Sequence, residues 1–298
     1  MTDRECTEFL QWCLPRLRLR WAGFRKVRRQ ICKRLTRRLC ELGLPHAAAY
    51  RTYLSSHPNE WKTLDTLCRI TISRFYRDRG VFDTIGRKIL PTLAEKALTD
   101  KEPQIRCWSA GCGSGEEPYT IHMIWRLRVA PKLDSDLPIR ITATDTSRIL
   151  LDRASNARYT GSSIKDLPTK LRDAGFVKSG DGYTVRENFK ENIEFLEQDI
   201  RSESPDGTFH LVLCRNLVFT YFEPTLQSEV LERIVRKLVP GGFLIAGIHE
   251  KIPGGIADLV PHEKTPGIYR LESDNVSKKG GGSSGYASPP AHPGDVDG

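Results

Sequence analysis

The sequence predicts an α/β protein with a parallel sheet that follows an all-helical N-terminal region. Before residue 80, apolar residues recur every three or four positions, which is the period of a helix. From about residue 104, short apolar runs typical of strands alternate with longer amphipathic segments. This alternation favours parallel strands joined by right-handed crossovers. The first predicted strand ends in a glycine cluster that leads directly into a helix.

Composition narrows the class of protein. The 298 residues, of which 39% are hydrophobic, suffice for one large or two smaller domains. The net charge of +9 favours a polyanion or an acidic protein surface as a partner. Eight scattered cysteines without a C-x-x-C pair predict reduced thiols, with neither a disulfide framework nor a metal site. Because the N-terminus shows neither a signal peptide nor a long apolar run, we expect a cytoplasmic protein without a membrane segment.

Residues 1–80 are predicted to form a basic helical domain. Its most regular helix has an apolar stripe from Phe24 to Leu42 and ends at Gly43. The basic residues of this helix form a charge run. Such a run is usually a solvated face, but this one has a single sign and lacks the i,i+4 partners of an ordinary exposed helix. The alternatives are docking of an acidic protein helix and docking of nucleic acid, and few aromatics and no recognition motif support nucleic acid. The residues assigned to docking are Arg25, Arg28, Arg29, Lys33 and Arg34.

The other segments follow in order. Residues 81–103 are predicted to form a linking helix, and residues 104–272 form the α/β domain. Within this domain, residues 158–192 are predicted to be a small β-subdomain insertion with a hairpin that turns at Ser179–Gly182. The main strands are predicted over Ile105–Trp108, Ile139–Ala143, Ile193–Leu196, Phe209–Cys214 and Phe243–Gly247. The Gly/Ser/Pro-rich segment 273–298 is predicted to be a disordered tail.

The glycine cluster Gly111-x-Gly113-x-Gly115 lets the backbone turn tightly and approach a ligand closely. Glu116 and Glu117 then occupy the first turn of the following helix. A pyrophosphate requires bare N–H groups at a helix start, and two carboxylates there would repel it. A ligand with hydroxyls or a positive charge fits better, and S-adenosylmethionine carries both. Alone, the cluster is equally compatible with a structural βα turn.

Acidic residues follow two further strands at the same predicted edge of the sheet. Asp145 ends the second strand, where a carboxylate can accept hydrogen bonds from a ribose diol. Asp199 follows the third strand and could accept from an adenine amino group, while Ile200 packs on the ring. Either acid could instead be a helix N-cap. Their joint placement beside the glycine cluster favours a cofactor pocket.

Several motifs together resemble the CheR-type, S-adenosylmethionine-dependent glutamate O-methyltransferases of bacterial chemotaxis receptors. The resemblance runs in the same order over roughly residues 20–272. It rests on the basic helix, I-S-R-F-Y-R, W-S-A-G-C-G-S-G-E-E-P-Y, A-T-D, L-C-R-N and P-G-G-F-L-I-A-G-x-x-E. It implies a Rossmann-like class I methyltransferase sheet, and the insertion corresponds to the β-subdomain that can dock a receptor tail in that family.

The resemblance also implies which residues bind the cofactor. The matching positions, with the two leading glycines of the turn, are Thr71, Ser73, Arg77, Gly111, Gly113, Glu117, Asp145, Asp199, Ile200, Asn216 and Leu217. This chain departs from the family pattern in one place near the reaction centre. Five positions separate Asn216 from Tyr221, whereas the family has four between the corresponding residues.

The chemistry of such a reaction sets the roles of two further side chains. A glutamate carboxyl, with a pKa near ~4.3, is already an anionic nucleophile at neutral pH, so alignment and exclusion of water matter more than a general base. Arg77 could hold the incoming carboxylate, and Tyr221 could orient it. The alternatives are a structural ion pair of Arg77 with Asp78 or Glu60, and a packed aromatic ring for Tyr221.

The leading hypothesis is a cytoplasmic enzyme that methylates glutamate side chains of an acidic helical protein, such as a chemoreceptor. The first alternative keeps the cofactor and changes the acceptor to another protein or a small molecule. The second is a regulatory module that binds S-adenosylmethionine without turnover. A nucleic-acid methyltransferase is the third, against which the missing N/D-P-P-Y/F-type motif weighs.

Overall fold

The computed structural model describes residues 1–262 and 265–272. The tail 273–298, for which the sequence predicts disorder, lies outside the described residues. The strands are β1 (Ile105–Ala110), β2 (Ile139–Asp145), β3 (Arg158–Tyr159), β4 (Phe176–Ser179), β5 (Gly182–Val185), β6 (Ile193–Glu197), β7 (Phe209–Leu213), β8 (Leu238–Ile245), β9 (Leu259–Pro261) and β10 (Ile268–Leu271).

Helices precede and connect these strands. In the N-terminal region they are α1 (Asp3–Cys13), α2 (Trp21–Phe24), α3 (Arg28–Glu41), α4 (Ala47–Ser56) and α5 (Glu60–Cys68). The linking region contains α6 (Arg79–Thr84) and α7 (Leu90–Thr99). The remaining helices are α8 (Glu116–Ile124), α9 (Arg148–Asn156), α10 (Gly161–Ile164), α11 (Thr169–Gly175), α12 (Val218–Tyr221) and α13 (Pro224–Lys237).

The main sheet has seven strands in the order β6-β2-β1-β7-β8-β10-β9. The first five are parallel, while β10 runs antiparallel to both β8 and β9. This is the class I methyltransferase arrangement, so the predicted Rossmann-like fold is confirmed. The antiparallel edge pair was not predicted, because it follows β8 without the intervening helix on which the alternation argument depends. The order reverses beside β1, and the carboxyl ends of the parallel strands form the ligand-binding edge there.

Each face of the sheet is covered by a different helical layer. On one face, α6, α7 and α8 contribute buried residues such as Phe82, Leu93 and Ile121. The N-terminal helices and α13 share the other core, which contains Leu35, Trp108 and residues of α12 and α13. The helical region and the sheet are packed around a common core. The domain boundaries near residues 80 and 104 therefore remain a prediction.

Local patterns account for most element boundaries. The basic helix α3 buries Ile31, Leu35 and Leu39 and is followed by Gly43 with φ +65°, as the apolar stripe predicts. The predicted start near Phe24 is wrong, because Phe24 ends the separate helix α2 and α3 begins at Arg28. In the linking region, a π-turn over Ile85–Ile89 continues into α7 and places Pro91 in the first turn of that helix. A proline is tolerated there because the first-turn N–H groups need no partner within the helix.

The insertion forms a three-stranded sheet in the order β3-β5-β4. The register of its hairpin pairs Ser179 with Gly182, which confirms the predicted turn. Phe176 and Val185 are buried at the other end of this hairpin and join the core beneath α8. The insertion is therefore anchored to the α/β domain through its apolar residues.

One prediction from the cysteines is wrong. Cys6 of α1 and Cys32 of α3 form a disulfide, although reduced thiols were expected throughout. The argument from spacing considered pairs close in sequence, whereas these two residues are 26 positions apart and are brought together by the packing of α1 on α3. Among the described residues, the other six cysteines are free and no cluster of potential metal ligands occurs. No helix in the described part of the chain has the length and apolarity needed to cross a bilayer.

Candidate cofactor and acceptor site

The glycine turn lies at the carboxyl end of β1, where the backbone adopts a conformation that favours glycine. Gly111, Gly113 and Gly115 have φ values of +72°, +58° and +88°. A Cβ on Gly111 would overlap the side chain of Leu217, and one on Gly115 would lie 2.9 Å from Ala154 Cβ. Glycine is thus required at positions 111 and 115, both because of the backbone conformation and because a Cβ would meet close neighbours.

Asp145 joins the end of β2 to this turn. Its carboxylate accepts hydrogen bonds from the N–H of Gly113 at 3.0 Å and from that of Ser147 at 2.9 Å. Burial raises the pKa of Asp145, and the two backbone donors partly offset this shift by stabilising the charged form. Asp145, the residue predicted to bind the ribose, therefore also supports the glycine turn.

Glu117 is held by two donors on the sheet side of the turn. Its Oε1 accepts from the Ser109 hydroxyl at 2.8 Å, and its Oε2 accepts from Arg215 at 2.9 Å. Arg215 was part of the L-C-R-N motif but received no role from the sequence. A signal was present, because a charged residue directly after a fully buried strand requires partners to offset its desolvation.

A second carboxylate lies beneath the turn. Glu116 is 5% exposed, and its Oε2 has no hydrogen-bond partner within the described residues. Burial raises the pKa of Glu116, while the nearby Ser73 hydroxyl lowers it. Ser73 also faces the turn, since its Cβ lies 3.9 Å from where a Cβ on Gly113 would be. Thr71, at the start of the same segment, is exposed.

Asp199, after β6, is shared with a neighbouring cation. Arg201 donates from its backbone N–H and its guanidinium to the Asp199 carboxylate. The same guanidinium pairs with Asp65 of α5 at 2.7 Å. A carboxylate has about four acceptor positions, and two hydrogen bonds from Arg201 already reach each oxygen of Asp199, so an adenine amino group would compete with Arg201 for this carboxylate. Ile200 beside it is 6% exposed and packs in the core that contains the N-terminal helices.

The loop after β7 is fixed by a carboxylate that the sequence argument missed. Glu250 Oε2 accepts from the N–H groups of Asn216 at 2.8 Å and Gly247 at 2.7 Å. Its Oε1 accepts from the Thr220 hydroxyl at 2.6 Å. Asn216 has φ +54°, so these bonds hold a backbone conformation that costs energy outside glycine. The acid of the G-x-x-E motif was visible in the sequence, but its partners were not.

Tyr221 ends the short helix α12 that follows this loop, and the charge of Arg77 lies close enough to influence it. The Tyr221 ring packs on Phe24, with ring centroids 4.9 Å apart. Burial raises the pKa of Tyr221, the Arg77 guanidinium lowers it, and the Glu250 carboxylate raises it. The Tyr221 ring is therefore packed, and both the positive charge of Arg77 and the negative charge of Glu250 lie near it.

The ion pair expected as an alternative for Arg77 does not form. Asp78 pairs with Arg215, and Glu60 pairs with Arg38. Arg77 donates one hydrogen bond to the carbonyl oxygen of Ile72 at 3.0 Å and has no carboxylate partner among the described residues. A half-buried guanidinium near Tyr221 thus lacks a carboxylate partner within the described part of the chain.

The predicted docking residues separate into two groups. Arg34 donates to the carbonyl oxygens of Leu67 and Arg69 and is half-buried, and Arg28 pairs with Asp3 at 2.9 Å. In contrast, the exposed members are Arg25, Arg29 and Lys33. Within the described chain these three have no ion pair. The structure thus places Arg34 in an internal contact between α3 and the end of α5.

The donors and acceptors around the pocket suit S-adenosylmethionine. Carboxylates dominate the edge, where Glu116 has a buried oxygen that no described residue pairs with and Asp145 binds the N–H of Gly113 in the glycine turn. Such a site fits ribose hydroxyls and a cationic ligand and disfavours a pyrophosphate. Together with the sheet order, the site defines a Rossmann-like methyltransferase.

Comparison with known proteins identifies the family. Residues 71–267 match the model of the CheR methyltransferase, SAM binding domain. The chain belongs to this family and is an S-adenosylmethionine-dependent methyltransferase, as the resemblance implied. The region before residue 71 lies outside the matched domain.

Several relatives carry corresponding names. The chain is 31% identical to a chemotaxis protein methyltransferase of Listeria monocytogenes over 187 residues, covering 63% of this chain and 68% of that protein. It is 30% identical to the one from Borreliella burgdorferi, covering 74% and 78%. Among solved structures, the N-methyltransferase NodS from Bradyrhizobium japonicum WM9 is 15% identical with a TM-score of 0.33, over 66% of this chain and 99% of that one.

Proposed function

We propose that this enzyme transfers the methyl group of S-adenosylmethionine to glutamate carboxylates of an acidic helical protein in the cytoplasm, such as a chemoreceptor. The observation that carries the proposal is the guanidinium of Arg77, which has no carboxylate partner among the described residues. The backbone of Arg77 is joined to the glycine turn's helix through Arg215, which binds both the Arg77 carbonyl oxygen and Glu117. Arg215, the neighbouring cation, is already paired with two carboxylates. Arg77 is therefore the group suited to receive a carboxylate acceptor.

The side chains of the site divide into binding and orienting groups. When bound, S-adenosylmethionine supplies an electrophilic methyl group. We assign Asp145 and Asp199 to its adenosine part and Glu117 to its cationic amino acid part. Arg77 aligns the acceptor carboxylate, which is ionised at neutral pH without a base. Tyr221 limits access of water on the acceptor side through its packed ring.

The position of α2 supports a protein acceptor that docks on the basic helix. Gly23 lies against the carbonyl oxygen of Thr220, and Phe24 packs on Tyr221. The exposed basic residues begin at the next position, Arg25. An acidic helix bound to this surface would therefore lie beside the acceptor side of the pocket. Opposite charges also accelerate encounter between the partners.

The proposed reaction predicts a base-labile product. We expect transfer of label from S-adenosyl-[methyl-³H]methionine to a glutamate-rich helical acceptor, followed by release of volatile methanol in alkali. An acceptor with glutamine in place of each glutamate is the matched control and should remain unlabelled. Label that survives alkali would contradict carboxyl methylation. Cofactor binding without transfer to any acidic acceptor would instead favour a regulatory module.

Charge reversal on the exposed docking residues should weaken use of the acceptor. We expect Arg25→Glu, Arg29→Glu and Lys33→Glu together to raise the acceptor KM about tenfold or more, because each like-charge contact adds repulsion. The effect should diminish as salt is added. Affinity for S-adenosylhomocysteine, measured by calorimetry, should be unchanged.

The matched control reverses three exposed basic residues outside the N-terminal helices. Arg87→Glu, Lys88→Glu and Arg126→Glu produce the same change in net charge from the linking region and from the π-turn that follows α8. An equal rise in KM for both triple variants would show a general charge effect and argue against docking on α3. Arg34 is left intact because its loss would disturb the contact with α5.

A further inference from the structure

A buried cation at the carboxyl end of β7 connects three segments of the site. The Arg215 side chain is 4% exposed, and its Nη1 lies 2.9 Å from Glu117 Oε2. Its Nη2 lies 2.8 Å from Asp78 Oδ2 and donates to the carbonyl oxygen of Arg77 at 2.9 Å. The guanidinium carbon lies 4.9 Å from the ring centroid of Phe82. One side chain, which follows β7, thus contacts Glu117 of α8, Phe82 of α6 and the segment that carries Arg77.

Stability alone is a poor explanation for this arrangement. Removing one cation and two carboxylates from water is costly, and apolar packing of similar volume is often as stable as a buried ion pair. The Nε of Arg215 is buried without a hydrogen-bond partner in the described part of the chain, which adds to that cost. What the guanidinium provides is geometry, because its planar fork fixes the directions of two partners at once.

The segment held by Arg215 has an unfavourable backbone. Tyr76 and Asp78, on either side of Arg77, have φ values of +58° and +63°. This left-handed conformation is unfavourable for residues other than glycine, and more so for the bulky Tyr76 than for Asp78. Arg215 binds both the Asp78 carboxylate and the Arg77 carbonyl oxygen. It therefore stabilises the turn from which the Arg77 side chain projects.

We propose that Arg215 is a positioning residue that aligns both halves of the reaction. One arm of its guanidinium orients Glu117 toward the cofactor, and the other holds the turn that presents Arg77 to the acceptor. The inference rests on the proposed function, because it concerns the same methyl transfer. It adds a physical link between the cofactor pocket and the acceptor side.

Substitutions in the two arms test this role. Arg215→Lys keeps the charge but cannot reach both carboxylates with fork geometry, so we expect kcat to fall about tenfold and the Kd for S-adenosylhomocysteine to rise several-fold. Asp78→Asn weakens only the arm to the Arg77 turn, so kcat should fall while this Kd stays within about twofold. In the double variant, Asp78→Asn should cause no further loss of kcat, because the two residues act as one unit.

The control is Arg38→Lys, which alters another arginine shared by two carboxylates, Glu41 and Glu60, in the helical region. It should lower Tm while kcat per binding-competent molecule, counted by calorimetric stoichiometry, stays at the wild-type value. Wild-type kcat and Kd in Arg215→Lys, or additive losses in the double variant, would overturn the proposal. If the wild type methylates no carboxyl group, the proposed acceptor fails, and the change in Kd on Arg215→Lys still decides the role of Arg215 toward the cofactor.

Discussion

Replacing Asp145 by alanine is expected to weaken binding of S-adenosylhomocysteine by about 100-fold, because a charged acceptor and its support of the glycine turn are lost together. The carboxylate accepts from the N–H groups of Gly113 and Ser147, and both N–H groups would lose this acceptor. Isothermal calorimetry measures the affinity directly. Asp152→Ala, which removes an exposed acid of the neighbouring helix α9, should leave the Kd unchanged. An unchanged Kd for Asp145→Ala would refute the assignment of Asp145 to the ribose.

The raised pKa of Asp145 adds a dependence on pH. Burial favours the protonated acid in the free enzyme, whereas hydrogen bonds from ribose hydroxyls favour the carboxylate. Binding should therefore release protons at acidic pH, and affinity should fall as the pH is lowered toward the raised pKa of the free enzyme. In Asp145→Asn, the affinity should fall less as the pH is lowered. The fall that remains reports protonation of Glu116, whose pKa is also raised by burial. Calorimetry at several pH values in buffers of different ionisation enthalpy measures the proton release.

Replacing Arg77 by glutamine is expected to lower kcat about 100-fold, since a single preorganised charged donor at a reaction centre contributes an effect of this size. The Kd for S-adenosylhomocysteine should change less than kcat, because the main loss is alignment of the acceptor carboxylate. Steady-state kinetics at saturating cofactor, combined with calorimetry, separates the two effects. An equal loss in kcat and in cofactor affinity would show that Arg77 serves the cofactor alone.

Two variants control for this prediction. Arg79→Gln removes an exposed cation from the same segment. The Arg79 guanidinium lies 3.7 Å from the Asp83 carboxylate, and kcat should be retained when it is removed. Tyr221→Phe keeps the ring that packs on Phe24 and removes only the hydroxyl, so a reduction of a few-fold is expected if the hydroxyl orients the acceptor. A loss as large as that of Arg77→Gln would make Tyr221 the dominant acceptor ligand.

Local sequence patterns predicted much of the fold. The hairpin of the insertion formed where its turn residues placed it, and α3 formed over the apolar stripe from Arg28 onward, although its predicted start near Phe24 lies in the separate helix α2. The strand-helix alternation predicted the parallel part of the sheet, because this signal depends on neighbours along the chain. It did not predict the antiparallel pair β9–β10 at the edge, since two short strands of three and four residues carry little periodicity.

The sequence by itself determined the class of fold and the cofactor, because the glycine turn and the acids at the strand ends are local features of short segments. Only the tertiary structure decided what holds those features in place. Arg215 meets Glu117 across 98 positions, Arg201 meets Asp65 across 136, and Glu250 meets the Asn216 N–H across 34. The Cys6–Cys32 disulfide has the same origin. Such partners have no fixed spacing, because contacts between distant segments arise from how helices and strands pack, and periodicity along the chain carries no record of them.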